Sequence, residues 1–196
     1  MLFAETPTLI HPRVTLERLN HTHVPALAEA SGQGNLWEQA WYTSVPAPDA
    51  VAAEIDRRLA LQATGQMAPW AIIDTATGAA VGMTTFMNID QPNRRLEIGS
   101  TWMGTAAHGT GINPAAKLLL LTRAFESLNC IAVEFRTHAS NAQSRAAIAK
   151  LGATQDGILR HHQLWRDGSI RDTVVFSILD SEWPQVRAGL AARAAT

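Results

Sequence analysis

The chain has 196 residues, 46% of them apolar and 17% charged, with a formal net charge of −1 at pH 7 and a pI near 6.6. These values suit one folded α/β or α+β domain with a full core, expected to span residues 1–196, and exclude a disordered or fibrous chain. They also exclude the basic excess that binds nucleic acid or anionic membranes, a disulfide or thiolate-rich zinc site (Cys130 is the only cysteine), and a membrane helix of ~20 apolar residues.

The start, MLFAETPTLI, carries Glu5 where a cleaved leader would have basic residues, so a cytoplasmic protein is expected. RVTLERL from Arg13 alternates as a first strand. A helical stretch from Thr22 to Tyr42 follows, with Trp37 and Trp41 one turn apart. APDAVAAEIDRRLALQ is an amphipathic helix with Asp49 as its expected N-cap and Val51, Ile55 and Leu59 on one stripe. MAPWAIID, AAVGMTTFMNI and RRLEIGSTWM are strands separated by the turn-forming TATG and DQPN, hence an antiparallel meander.

Next comes MGTAAHGTGINPAAKLLLL, a glycine-rich loop ahead of a helix expected to run from Pro114 to Ser127 with Asn113 as N-cap. IAVEFRT is a short buried strand. NAQSRAAIAKLGA is a helix closed by Gly152, and two strands surround the hairpin signal Asp167-Gly168. SEWPQVRAGLAARA closes the chain as a helix.

A glycine loop before a helix offers unpaired N–H groups to a phosphate. As a Walker A loop this one lacks its chemistry, because Thr110 and Gly111 stand where lysine and the Mg²⁺-binding hydroxyl are needed. As a dinucleotide fingerprint it has Pro114 in place of the third glycine and follows a meander in mid-chain. The pyrophosphate of coenzyme A is the third candidate. Here EIGSTWMGTAAHGTGIN, NAQSRAAIAKLGA and GILRHHQLWRDGSIRDTVVFSILDSEWP, together with WAIID…GAAVGM, cover roughly residues 10 to 185. In content and order they resemble the GNAT superfamily of N-acetyltransferases, and most closely its RimJ/RimL type, whose characterised members acetylate N-terminal amines of ribosomal proteins.

The resemblance implies an α+β GNAT fold, with a mixed, mostly antiparallel central sheet of about seven strands flanked by helices. It implies acetyl-CoA as cosubstrate and direct acetyl transfer to an amine, most simply a protein or peptide N-terminus. A small-molecule amine, or a CoA-binding module without turnover, are the alternatives. The implied partners are acetyl-CoA and an amine-bearing protein, peptide or small molecule, with a homodimer left open and neither nucleic acid nor membrane.

Aligned on Gly111, the family motif Gln/Arg-x-x-Gly-x-Gly/Ala places His108 and Asn113 at its first and last positions, both departures. The implied cofactor-binding residues are Trp102, Met103, His108, Gly109, Thr110, Gly111, Ile112, Asn113, Asn141 and Ser144. Ser144 is also placed to protonate the departing thiolate, and the backbone at Trp102 and Met103 to polarise the thioester carbonyl. For Asn141 and Ser144, plain helix capping is the structural alternative. Glu97 is the leading general base, with an ion pair to Arg94, Arg95 or Arg136 as its alternative role, and His138 is a weaker candidate. Trp37, Trp41 and Tyr42 are candidate substrate-binding residues. His161 and His162 point to opposite faces of a strand and His21 and His23 lack a third ligand, so no metal is expected.

Overall fold

The computed structural model describes residues 2–38, 45–165 and 168–195. Chain order is β1 (Leu9–His11), β2 (Val14–Arg18), α1 (Val24–Gly32), α2 (Val51–Ala63), β3 (Ala68–Asp74), β4 (Ala80–Asp90), β5 (Arg95–Met103), α3 (Ile112–Thr122), β6 (Ala132–His138), α4 (Ala142–Leu151), β7 (Thr154–Leu164), β8 (Ile170–Leu179) and α5 (Trp183–Ala195). The strands form one eight-stranded sheet in the order β1-β2-β3-β4-β5-β6-β8-β7, every neighbouring pair antiparallel except β5 and β6.

Strand alternation divides the core into two layers. Trp70 and Ile72 of β3, Phe86 of β4, and Leu96 and Ile98 of β5 pack with Leu120 of α3 and Trp183 and Leu190 of α5. Ala71, Met83 and Trp102 point the other way, into a cluster with Leu27 of α1 and Val51 and Ile55 of α2. Each face therefore carries its own helical layer, as expected of a sheet whose strands are apolar on both sides. Beyond α3 the helix widens into a π turn, Arg123–Ser127, whose Phe125 stacks on Trp183 at 5.4 Å.

Several sequence expectations are corrected in detail. The mixed, mostly antiparallel sheet is as expected, with the three-residue β1, too short to show a period, added as an eighth strand beside β2. Within the described part of the helix expected from Thr22, α1 stops at Gly32 where Gln33 turns extended (ψ 119°), and the following Gly34 (φ 68°) and Asn35 (φ 48°) take left-handed conformations that break the helical path. Trp41 and Tyr42 lie outside the described residues. Asp49 makes no side-chain cap, since α2 is entered through a 3₁₀ turn, Pro48–Ala50. Asn113 is not the cap of α3: Gly111, left-handed at φ 81°, precedes Ile112 as the first helical residue, and Pro114 sits in the first turn, where no N–H is needed. Gly152 (φ 98°) closes α4 as expected, and β7 and β8 form the expected antiparallel pair.

Candidate active site

The site is opened by the one parallel pairing. β5 and β6 are in register only at Arg95–Ala132, Leu96–Val133 and Glu97–Glu134, after which the strands part while each continues, to Met103 and His138. At the parting, Ser100 takes a left-handed φ of 47° and interrupts the β4–β5 register. The fully buried Arg58 of α2 holds this kink, donating to the Ser100 carbonyl (3.2 Å) and Thr85 Oγ1 (2.9 Å) while its Nε donates to Glu54 (2.6 Å). Beyond the kink, Gly104 N–H donates to Val81 O (2.9 Å), so alternation turns the Trp102 amide toward β4 and the Met103 amide toward the gap.

At one mouth of the gap lies the glycine loop. Among the described residues, no hydrogen bond occupies the amide N–H groups of Gly109, Thr110, Gly111, Ile112 or Asn113. Of these residues, Gly109, Gly111 and Asn113 border a cavity of about 450 Å³ shared with His108, Pro114, Gln143 and Arg193. The His108 ring bonds the Met103 carbonyl (Nε2 to O, 3.2 Å) and Arg13 Nη1 donates to the Thr110 carbonyl (3.3 Å), so both tie the loop in place. Free amides, a left-handed glycine and a helix start together fit a pyrophosphate.

The middle of the gap is a cavity of about 230 Å³ bordered by Trp102, Asn113, Lys117, Asn141 and Ser144. Trp102 Nε1 and Asn113 Oδ1 are buried without hydrogen-bond partners. Asn141 does cap α4, its Oδ1 accepting from Ser144 N at 2.9 Å, while the Ser144 hydroxyl makes no hydrogen bond among the described residues. Lys117 donates from Nζ to Thr101 Oγ1 at 2.8 Å, and burial alone pushes its pKa down to about 7.

Behind the sheet, toward α2, a second cavity of about 780 Å³ touches Trp37, Asn88, Glu97, Trp165 and Arg171. Glu97 is 4% exposed, accepts from Asn88 Nδ2 at 2.7 Å, and lies 3.5 Å from Arg136 Nε. Desolvation raises its pKa, against the lowering pull of the Asn88 hydrogen bond and Arg136. The two cavities share Val45, Ser100, Arg136 and Arg171, so Glu97 and Ser144 stand on opposite sides of one passage through the sheet. His138 borders the middle cavity, its Nδ1 accepting from Ser140 N at 3.0 Å.

The sequence pattern of the acetyltransferase (GNAT) domain family matches residues 13–154, most of the chain. The chain belongs to that family. A GCN5-related N-acetyltransferase of known structure from Brucella melitensis is 31% identical, with a TM-score of 0.85 over 96% of this chain and 85% of its own. The RimJ structure from Mycobacterium smegmatis, 23% identical, matches in fold with a TM-score of 0.81 over 96% of this chain and 95% of its own. YdaF of Bacillus subtilis (strain 168), which carries a provisional ribosomal N-acetyltransferase name, is 37% identical over 106 residues, 54% of this chain and 57% of YdaF.

As a GNAT domain the chain uses acetyl-CoA as its cosubstrate, which supplies an acetyl group activated as a thioester. The free loop amides fit its pyrophosphate, and beyond Glu97 the side of β5 that faces the gap has no β6 partner along the path to the kink. Among the described residues, no group of three or more His, Cys, Asp or Glu could hold a metal ion, and no helix is long and apolar enough to cross a membrane.

Three residues of the site escape a sequence reading. Arg58 continues the Val51–Ile55 stripe at i+7, a polar residue on a core row, and that position was its only signal. Arg171 is 9% exposed with Nε unpartnered, and its guanidinium carbon lies 5.2 Å from the Trp165 ring centroid. Nothing in its neighbourhood of sequence marks it. Lys117 was visible only as an isolated lysine in a leucine-rich helix.

Proposed function

We propose that this GNAT enzyme acetylates the N-terminal amine of a protein or peptide, with Glu97 as general base and Ser144 as general acid. The carrying observation is the passage through the sheet, with loop amides and Ser144 on one side and a buried, hydrogen-bonded carboxylate on the other. Glu97 takes a proton from the incoming ammonium on the α2 side. The Met103 amide and the free backbone beyond the kink polarise the acetyl carbonyl, and the Ser144 hydroxyl gives a proton at the position of the leaving sulfur. Trp102, His108, Gly109, Thr110, Gly111, Ile112, Asn113 and Asn141 hold the cosubstrate, and Trp37 borders the acceptor.

Two features favour a peptide over a small amine. Rim residues Ala50, Ala53, Arg57 and Gln163 of the acceptor cavity are exposed, which leaves room for a chain leading away from the amine. YdaF's name also points to ribosomal protein substrates. Proton chemistry agrees: at pH 7 an α-amine of pKa about 7.8 is roughly one-seventh neutral, a lysine only ~0.04%. The test compares a peptide with a free N-terminus against the same peptide blocked there and carrying one lysine. Faster acetylation of the free N-terminus is expected; equal or faster lysine acetylation, or turnover confined to small amines, overturns the acceptor assignment.

A further inference from the structure

The sequence holds lysine only at Lys117 and Lys150; every other strongly basic side chain is an arginine. Lys150 is exposed in the last turn of α4. Lys117 is 7% exposed, in the second turn of α3, one helical turn after Asn113 on the same face, and both border the middle cavity. A buried lysine normally answers a carboxylate. Here its only hydrogen bond among the described residues goes to Thr101 Oγ1, which already has Thr84 Oγ1 as a partner at 2.8 Å. The threonine pair does not need the lysine. What Lys117 brings to the cavity is an amine that burial pushes down to a pKa of about 7, far nearer its neutral form at pH 7 than an unperturbed lysine, which is neutral in ~0.04% of molecules.

We propose that Lys117 is an internal acetyl acceptor, modified by acetyl-CoA bound in the gap when no external amine occupies the acceptor side. Its Nζ forms a bond to the acetyl carbonyl carbon and the carbon–sulfur bond breaks. The proton lost by the amine passes to the thiolate, leaving acetyl-lysine and free CoA. The product amide then fills part of a cavity of about 230 Å³ through which the cosubstrate must pass, so modification restrains further turnover.

The two lysines make the test internally controlled. Wild-type protein is incubated with acetyl-CoA and no amine, and the modified sites are mapped by peptide mass spectrometry. Lys117 should be labelled faster than Lys150 by about tenfold or more, and excess CoA should suppress labelling of Lys117 while leaving Lys150 unchanged. Unmodified Lys117, labelling no faster than Lys150, or indifference to CoA overturns the proposal. A second readout needs no turnover: protein carrying carbon-13 in its lysine side chains gives two signals, assigned with Lys150→Arg, and CoA should move the Lys117 signal. A Lys117 signal unmoved at saturating CoA also overturns it.

Discussion

Glu97 and Lys117 lie on opposite sides of the same strand gap, and burial displaces each toward its neutral form. Desolvation raises the Glu97 pKa, so the ionised base forms only above the usual carboxylate range of about 4.3. The acidic limb of the kcat/KM profile for a peptide acceptor should therefore lie above that range. In Glu97→Gln it should vanish, leaving the limb of the amine itself near pH 7.8; a variant with a wild-type profile would remove Glu97 as base. Lys117 acts on stability with the opposite sign. Its folded pKa of about 7 lies below the ordinary 10.5, so the unfolded chain binds the extra proton between those values. Stability falls as pH drops from about 10.5 to about 7 and is then level. Lys117→Met should raise stability at pH 7 by on the order of a few kcal/mol, an advantage that shrinks toward pH 10. Denaturant melts at pH 7 and 10 test this, and an equal difference at both would contradict the burial penalty.

Two helix starts show what an element contributes to the site and what could be read of it in advance. At α4, Asn141 receives the Ser144 amide while the Ser144 hydroxyl stays unused, so capping and chemistry separate cleanly. Asn141→Ala should cost about 1 kcal/mol of stability. Ser144→Ala should leave stability near wild type yet lower kcat by about 10² or more; an unchanged kcat would reduce Ser144 to a capped first-turn residue. The Asn-x-x-Ser spacing was legible because a cap is a local interaction, settled within one turn. At α3 the same kind of reading chose Asn113, yet Gly111 ends the loop, because a left-handed residue there keeps the preceding amides free. Local preference lost to the path of the whole loop. The kink at Ser100 was not legible at all: it depends on Arg58, distant in sequence and recognisable only once α2 is packed on β5.

At the scale of the molecule, the meander β2 to β5 and the alternation of its side chains between two helical layers could be read directly, since period-two patterning is written in each strand. The face occupied by Glu97 followed from the same pattern. Arg171 and Lys117 could not be found this way, because whether a long basic side chain is solvated or buried is decided by elements that close over it. What the sheet does as a whole turns on its shortest joint. Five strands lie on one side of it and three on the other, and among the described residues the ladder across it is three residue pairs long, extended by the Ile131 N–H donating to the Arg94 carbonyl (2.9 Å) and by the Arg95–Glu134 ion pair. We expect the two halves of this sheet to open and close about that short joint, with the bound cosubstrate holding them together. CoA at a hundredfold excess over its Kd should stabilise the fold by about 2.7 kcal/mol. Hydrogen exchange should slow most along Ser100–Met103 and Phe135–His138, the two free margins beyond the joint; protection spread evenly over β2 to β4 would contradict that role. The coenzyme is then also a structural tie, and starvation for it leaves the protein open along its own central seam.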